Sequence, residues 1–161
     1  MGRADSPNGE HGSHAWLWQD GQLTDLGTMG GYSIPQAINA SGQVVGVSQS
    51  HEDGEEIPVH GFLWENGTMI NLDETSEVQE SRPLAINRHG QIVGQLDTED
   101  GPIYGFLWHN GQMHNLNELV VIEAKWDITE AIDINDWGQI ACNAQRDGVS
   151  HALLLTPLSP E

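Results

Sequence analysis

The chain has 161 residues, with five Lys plus Arg against 24 Asp plus Glu for a formal net charge of −19, and such a surface repels nucleic acid and anionic membranes alike. Its single cysteine, Cys142, excludes an intrachain disulfide framework. No stretch approaches the length of a membrane-spanning helix, and the acidic charge leaves cations, neutral glycans, basic proteins and high-salt surroundings open.

Residues 1–13 lack the apolar core and cleavage pattern of a signal peptide and read as a flexible leader, or as the point where a longer protein was cut. At His14 begins a phrase that is written three times in full: His14-Ala15-Trp16-Leu17-Trp18-Gln19-Asp20-Gly21, His60-Gly61-Phe62-Leu63-Trp64-Glu65-Asn66-Gly67 and Tyr104-Gly105-Phe106-Leu107-Trp108-His109-Asn110-Gly111. His151-Ala152-Leu153-Leu154-Leu155 is a truncated fourth. Both alternating faces of the phrase are apolar, as in a strand covered on two sides. The Asp-Gly and Asn-Gly pairs that follow are type I′ hairpin signals, because both central residues of that turn take positive φ. They lead into further strands at Gln22 through Leu26, Thr68 through Leu72 and Gln112 through Leu116.

A second phrase reads Ala37-Ile38-Asn39-Ala40-Ser41-Gly42, Ala85-Ile86-Asn87-Arg88-His89-Gly90 and Asp133-Ile134-Asn135-Asp136-Trp137-Gly138, with its glycines 48 residues apart each time. The asparagine opens a turn that the glycine closes in the left-handed region. One repeat is therefore four antiparallel strands: A (near residues 35–39), B (43–48), C (60–64) and D (68–72). Meanders of this kind, recurring every ~40 to 50 residues, are what propeller blades require. The sequence thus predicts an all-β, propeller-like array of four-stranded antiparallel repeats, about three blades per chain, in one domain over residues 14–157 with a tail at 158–161. The strands count as C-D, A-B-C-D, A-B-C-D, A-B-C, too few blades to close. Gln22 through Leu26 is available to complete the last A-B-C set. A homodimer sharing a six-bladed ring, or a longer propeller of which this is half, would then satisfy the open edges.

Together these phrases resemble the HAF-repeat family of bacterial extracellular repeat proteins, named after a His-Ala-Phe phrase that His14-Ala15-Trp16, His60-Gly61-Phe62 and His151-Ala152-Leu153 approximate. The likeness runs from His14 to Pro157. Thr24-Asp25-Leu26-Gly27-Thr28-Met29-Gly30-Gly31 is similar to that family's linker between D and A strands. Leu116-Asn117-Glu118-Leu119, Trp126-Asp127-Ile128-Thr129-Glu130-Ala131 and His151 through Pro157 are similar to its C-terminal repeat. Tyr104 in place of the first His, Ala141-Cys142 in place of Val-Gly and long acidic insertions depart from the pattern. The resemblance implies a secreted or cell-surface β-repeat protein of bacterial origin with no established activity.

Strand direction sends the A-to-B and C-to-D turns to one end of the repeats and the B-to-C and D-to-A loops to the other, where sixteen of the 24 acidic residues fall. Oxygen-rich loops suit Ca²⁺, which takes about six to eight such ligands, and Asp53, Glu55, Glu99 and Asp100 are the candidate ligands. No loop matches the spaced EF-hand pattern, and a solvated acidic face is the competing reading. His14, His60 and His151 share one position and read as strand-start histidines bonded to a neighbouring loop rather than as zinc ligands. Cys142, at the position of Gly46 and Gly94, reads as a small buried thiol. Trp16, Trp18, Trp64 and Trp108 read as packing, whereas Trp126 and Trp137, in a D-to-A loop and an A-to-B turn, are candidates for stacking on a glycan. The chain has no Gly-x-Ser-x-Gly elbow, phosphate loop or His-Glu-x-x-His. The sequence therefore favours a non-enzymatic module that binds or assembles with macromolecules. The alternative is a glycan-active hydrolase or glycan-binding module that uses carboxylates of the acidic loop face.

Overall fold

The computed structural model describes residues 1–5, 12–52, 55–73, 78–99, 101–121 and 126–158. They form four antiparallel sheets in chain order. The first is β1 (Gly2–Asp5), β2 (Ser13–Gln19) and β3 (Gln22–Asp25). The second is β4 (Ser33–Ile38), β5 (Val44–Glu52), β6 (Glu55–Glu65) and β7 (Thr68–Asn71). The third is β8 (Val78–Ile86), β9 (Ile92–Thr98), β10 (Tyr104–His109) and β11 (Gln112–Asn115). A single helical turn, α1 (Leu116–Leu119), leads to the fourth: β12 (Asp127–Ile134), β13 (Ile140–Arg146) and β14 (Val149–Leu155). No helix among the described residues is long and apolar enough to cross a membrane.

The punctuation follows the sequence. Asp20, Asn66 and Asn110 have φ of 51°, 51° and 53°, each followed by a positive-φ glycine, as a type I′ turn requires. Asp147-Gly148 is a fourth such pair, with φ of 52° and 76°, and it joins β13 to β14 tightly where the earlier repeats have long acidic B-to-C connections. Strand A lies at a sheet edge in both four-stranded sheets, which is why Pro35 and Pro83, with no N–H to donate, are tolerated at its bulge.

The strand count expected from the sequence is corrected. The leader expected over residues 1–13 contains a strand, β1, whose Gly2 stands opposite Trp16 as Gly46 stands opposite Phe62 and Gly94 opposite Phe106. β1 therefore fills the place of strand B, and the first sheet is B-C-D. The count of about three blades becomes four sheets: B-C-D, A-B-C-D, A-B-C-D and A-B-C. The strand at Gln22–Asp25 does not complete the last set, because its tight turn holds it beside β2, and among the described residues no D strand lies beside β14.

The sheets stack in order through three equivalent apolar joints. Ala15, Leu17 and Leu26 of the first sheet meet Val44 and Phe62 of the second, with Trp64 and Met69 alongside. Val45, Leu63 and Leu72 meet Ile92, Leu96 and Phe106, with Trp108 and Met113 alongside. Val93 and Leu116, with Leu107, meet Ile128, Ala131, Ile140 and Cys142, with Leu153 and Leu155 alongside. In each joint strand A of the later sheet lies across the earlier one: β4 on β2, β8 on β4 to β6, and β12 on β8 to β10. A Cβ at Gly46 would collide with the Ile34 carbonyl and meet the Phe62 ring at 2.9 Å, so the aromatic of strand C needs glycine opposite it. Where Cys142 replaces that glycine, the facing residue is the smaller Leu153.

Candidate functional site

Polar clasps reinforce the joints, and they account for most of the hydrogen-bonding residues that the repeats share. Ser33 Oγ accepts from the Ala15 N–H at 2.8 Å, and Ser81 Oγ accepts from the Gly61 N–H at 2.6 Å, each tying strand A of one sheet to strand C of the sheet before. At the A-to-B turns, the amide of Asn39 donates to the Asn87 carbonyl at 2.9 Å and that of Asn87 donates to the Asn135 carbonyl at 3.0 Å. Each asparagine also accepts from backbone N–H groups two and four residues on, which builds the turn itself.

Two of the three histidines expected to bond a neighbouring loop bind carboxylates, one at the end of β3 and one just after β7. His14 Nδ1 lies 2.8 Å from Asp25, and His60 Nδ1 lies 2.6 Å from Asp73. Asp73 is buried, and burial pushes its carboxyl above the usual 3.8 against hydrogen bonds from Ser81 and His60 that favour the charged form. Ser81, Asp73 and His60 have the residue types of a hydrolase triad in another order. Ser81 donates directly to the carboxylate, its oxygen is taken by the Gly61 N–H, and it is fully buried. The arrangement is a clasp rather than a poised nucleophile, which needs a base on its own hydroxyl. His151 instead meets Trp126 edge-on, with ring centroids 5.1 Å apart.

The two tryptophans proposed as ligand contacts stand at opposite ends of β12. Trp126 is half-buried, with the Arg146 guanidinium 5.3 Å from its ring centroid. Trp137 is 79% exposed and edges a groove of about 410 Å³ that also holds Arg88, Asp136 and the asparagines of the three A-to-B turns. Of the candidate Ca²⁺ ligands, Asp53 and Asp100 lie outside the described residues. Glu55 begins β6 and Glu99 is exposed in the turn after β9, on different sheets. Among the described residues, no three or more His, Cys, Asp or Glu side chains converge on a metal-sized site. His109 and His114 pair across the hairpin with Gln112 and Leu107 and so are only diagonal neighbours. Cys142 is a buried free thiol, pushed up to about 11 by desolvation.

Sequence reasoning missed the two ends of the stack. Trp18, read as packing, is 63% exposed, and its cross-strand partner Leu23 is 57% exposed. The indole N–H of Trp16 on the same face is buried with no acceptor among the described residues. On the outer face of the last sheet Leu154 is 67% exposed, beside the exposed Ala141 and Ala152. Beneath that sheet, an apolar groove of about 440 Å³ runs between α1 and the segment after β14, lined by Leu119, Val121, Ile140 and Leu158 among others. A repeat pattern hides such ends, because it assigns the same role to a residue whether or not a neighbour follows. No protein-family model matches the chain, and no curated protein matches it significantly.

Proposed function

We propose that the chain is a non-enzymatic, propeller-like repeat module, secreted or displayed at the cell surface, that binds or assembles with macromolecules through its end sheets. The observation that carries this reading is the exposure of Trp18, Leu23 and Leu154 at positions whose counterparts pack in the internal joints. Exposed apolar faces of this kind mark interaction surfaces. The extracellular setting rests on the resemblance to HAF-repeat proteins. Hydrogen exchange tests the reading: amides of β3 or β14 should gain protection on adding a macromolecular ligand or on concentrating the protein. Exchange at both end strands that never changes would overturn it, as would hydrolysis of a polysaccharide that falls when Glu99 or Asp127 is replaced.

A second reading, glycan binding, is favoured by Trp137, whose exposed ring stands beside Arg88 and Asp136 in a shallow polar groove. An indole face with hydrogen-bonding groups around it suits a sugar ring. Quenching of intrinsic fluorescence by a soluble polysaccharide, abolished in Trp137→Ala with the end-strand amides unchanged, is the outcome that would select this reading.

A further inference from the structure

The two exposed ends are the two halves of one joint. In both four-stranded sheets, the aromatic of strand C two residues before the Asx-Gly turn pairs across the strand with a methionine of strand D: Trp64 with Met69, and Trp108 with Met113. Both pairs pack against the sheet before them. The first sheet has the same pair, Trp18 with Leu23, and among the described residues no sheet packs against it, so both are exposed. On the opposite face, the small residue and leucine of strand C accept the following sheet. A Cβ at Gly61 would meet Pro83 and Ser81 of the next sheet, and one at Gly105 would meet Ile128 and Ala131. Leu63 and Leu107 flank them within the joints. In the last sheet, the same positions are Ala152 and Leu154, with Ala141 standing where Val45 and Val93 face the following sheet.

Building on the end-sheet reading above, we infer that the last sheet of one copy docks on the first sheet of the next, head to tail, with Ala141, Ala152 and Leu154 received by Trp16, Trp18 and Leu23. The occupant of each end is a second copy because the chain itself carries the complement of each face, already fitted to its like in the internal joints. Within one chain that fit is not made: among the described residues, no strand of the first sheet packs on the last sheet beyond a marginal contact. The contact is heterologous, so each copy uses one end as donor and the other as acceptor. Among the described residues the first sheet has no strand A, so the joint between copies is made without the strand that crosses every internal joint. It is therefore weaker than those joints and dissociates on dilution. A formal charge of −19 on each copy opposes approach, so the association strengthens as salt screens it.

Sedimentation equilibrium of the whole chain at about 0.5 M NaCl, over rising protein concentration, tests this with Trp18→Glu and Leu154→Glu. Both positions are exposed, so both variants should keep the wild-type melting temperature. The wild type is expected to associate beyond a dimer or into a closed ring. Each variant alone should remain monomeric, and an equimolar mixture should form a one-to-one complex, since one partner keeps its tail and the other its head. If Trp18→Glu fails to fold, Leu23→Gln on the same face replaces it. A wild type that stays monomeric at the highest concentration overturns the inference, and so does a mixture that does not associate. Dimerisation by either variant alone also overturns it, because that contact would be like-to-like. That last outcome removes the head-to-tail joint while leaving binding through the end sheets standing.

Discussion

Phe62 lies wholly buried over Gly46, and the cost of disturbing either residue follows from that contact. Phe62→Ala removes a large ring from the joint between the first two sheets and should cost about 3 to 5 kcal/mol in denaturant unfolding. Trp18→Ala, by contrast, should cost under about 1 kcal/mol, since an exposed ring leaves no cavity. The two residues occupy faces of the same kind in repeated phrases, which is why alternation revealed the role of Phe62 and misjudged that of Trp18. Asp73 carries a pH-dependent prediction. Its carboxyl titrates above 3.8 in the fold because burial disfavours the charge. A raised value means that its stabilising contribution is complete below 3.8 and is lost as pH climbs through the folded value. The melting temperature of the wild type relative to Asp73→Asn should therefore fall as pH rises from about 3 to 6, and a gap that does not vary with pH would mean an unshifted carboxyl. Cys142 could be read in the sequence as a buried thiol because it takes the place of a packed glycine, and the structure buries it.

The A-to-B turn does two things with one side chain. Asn87 builds its own turn by accepting from the His89 and Gln91 N–H groups, and it donates to the Asn135 carbonyl of the next sheet. Asn87→Ala loses these three bonds and the one its amide makes to Gln91 Oε1, at a buried position, and should destabilise by about 2 to 3 kcal/mol. Asn135 builds the same turn but reaches no following sheet, its amide meeting Gln139 of its own turn. Asn135→Ala should therefore cost measurably less in urea unfolding, and equal losses would show that the bond between sheets contributes nothing. Strands, hairpins and turns were legible because Asx-Gly pairs and positive-φ glycines fix them locally. β1 was not: four residues with no periodicity become a strand only because β2 offers an edge with an aromatic awaiting a glycine. The B-to-C connection at residues 50–59 was also misread as loop, whereas β5 and β6 continue pairing to Glu52 and Glu55.

Across the whole molecule the acidic charge meets this pairing. The register sets Glu80 opposite Asp97, and like charges directly opposite on a sheet destabilise it. Arg82 relieves Glu80 at 2.6 Å. The melting temperature should rise with NaCl as this pair and the net charge of −19 are screened. CaCl₂ at matched ionic strength should add a further rise only if loop carboxylates chelate the ion, so equal shifts would dismiss Asp53, Glu55, Glu99 and Asp100 as a site. The sequence disclosed that the chain was a stack but not its length, because the number of sheets depends on where a nondescript segment finds a place.

The division of labour within the stack also decides how the molecule responds to force. Among the described residues the backbone ladders run inside the sheets, while the joints between sheets rest on apolar side chains and on side-chain bonds of Ser33, Ser81, Asn39, Asn87, Asn117 and Asp136. Tension applied across the stack loads the joints first and leaves each ladder unstrained until its sheet has come free. Pulled from its two ends, the chain should yield in discrete steps, parting sheet from sheet like pages of a binding rather than tearing across any one of them.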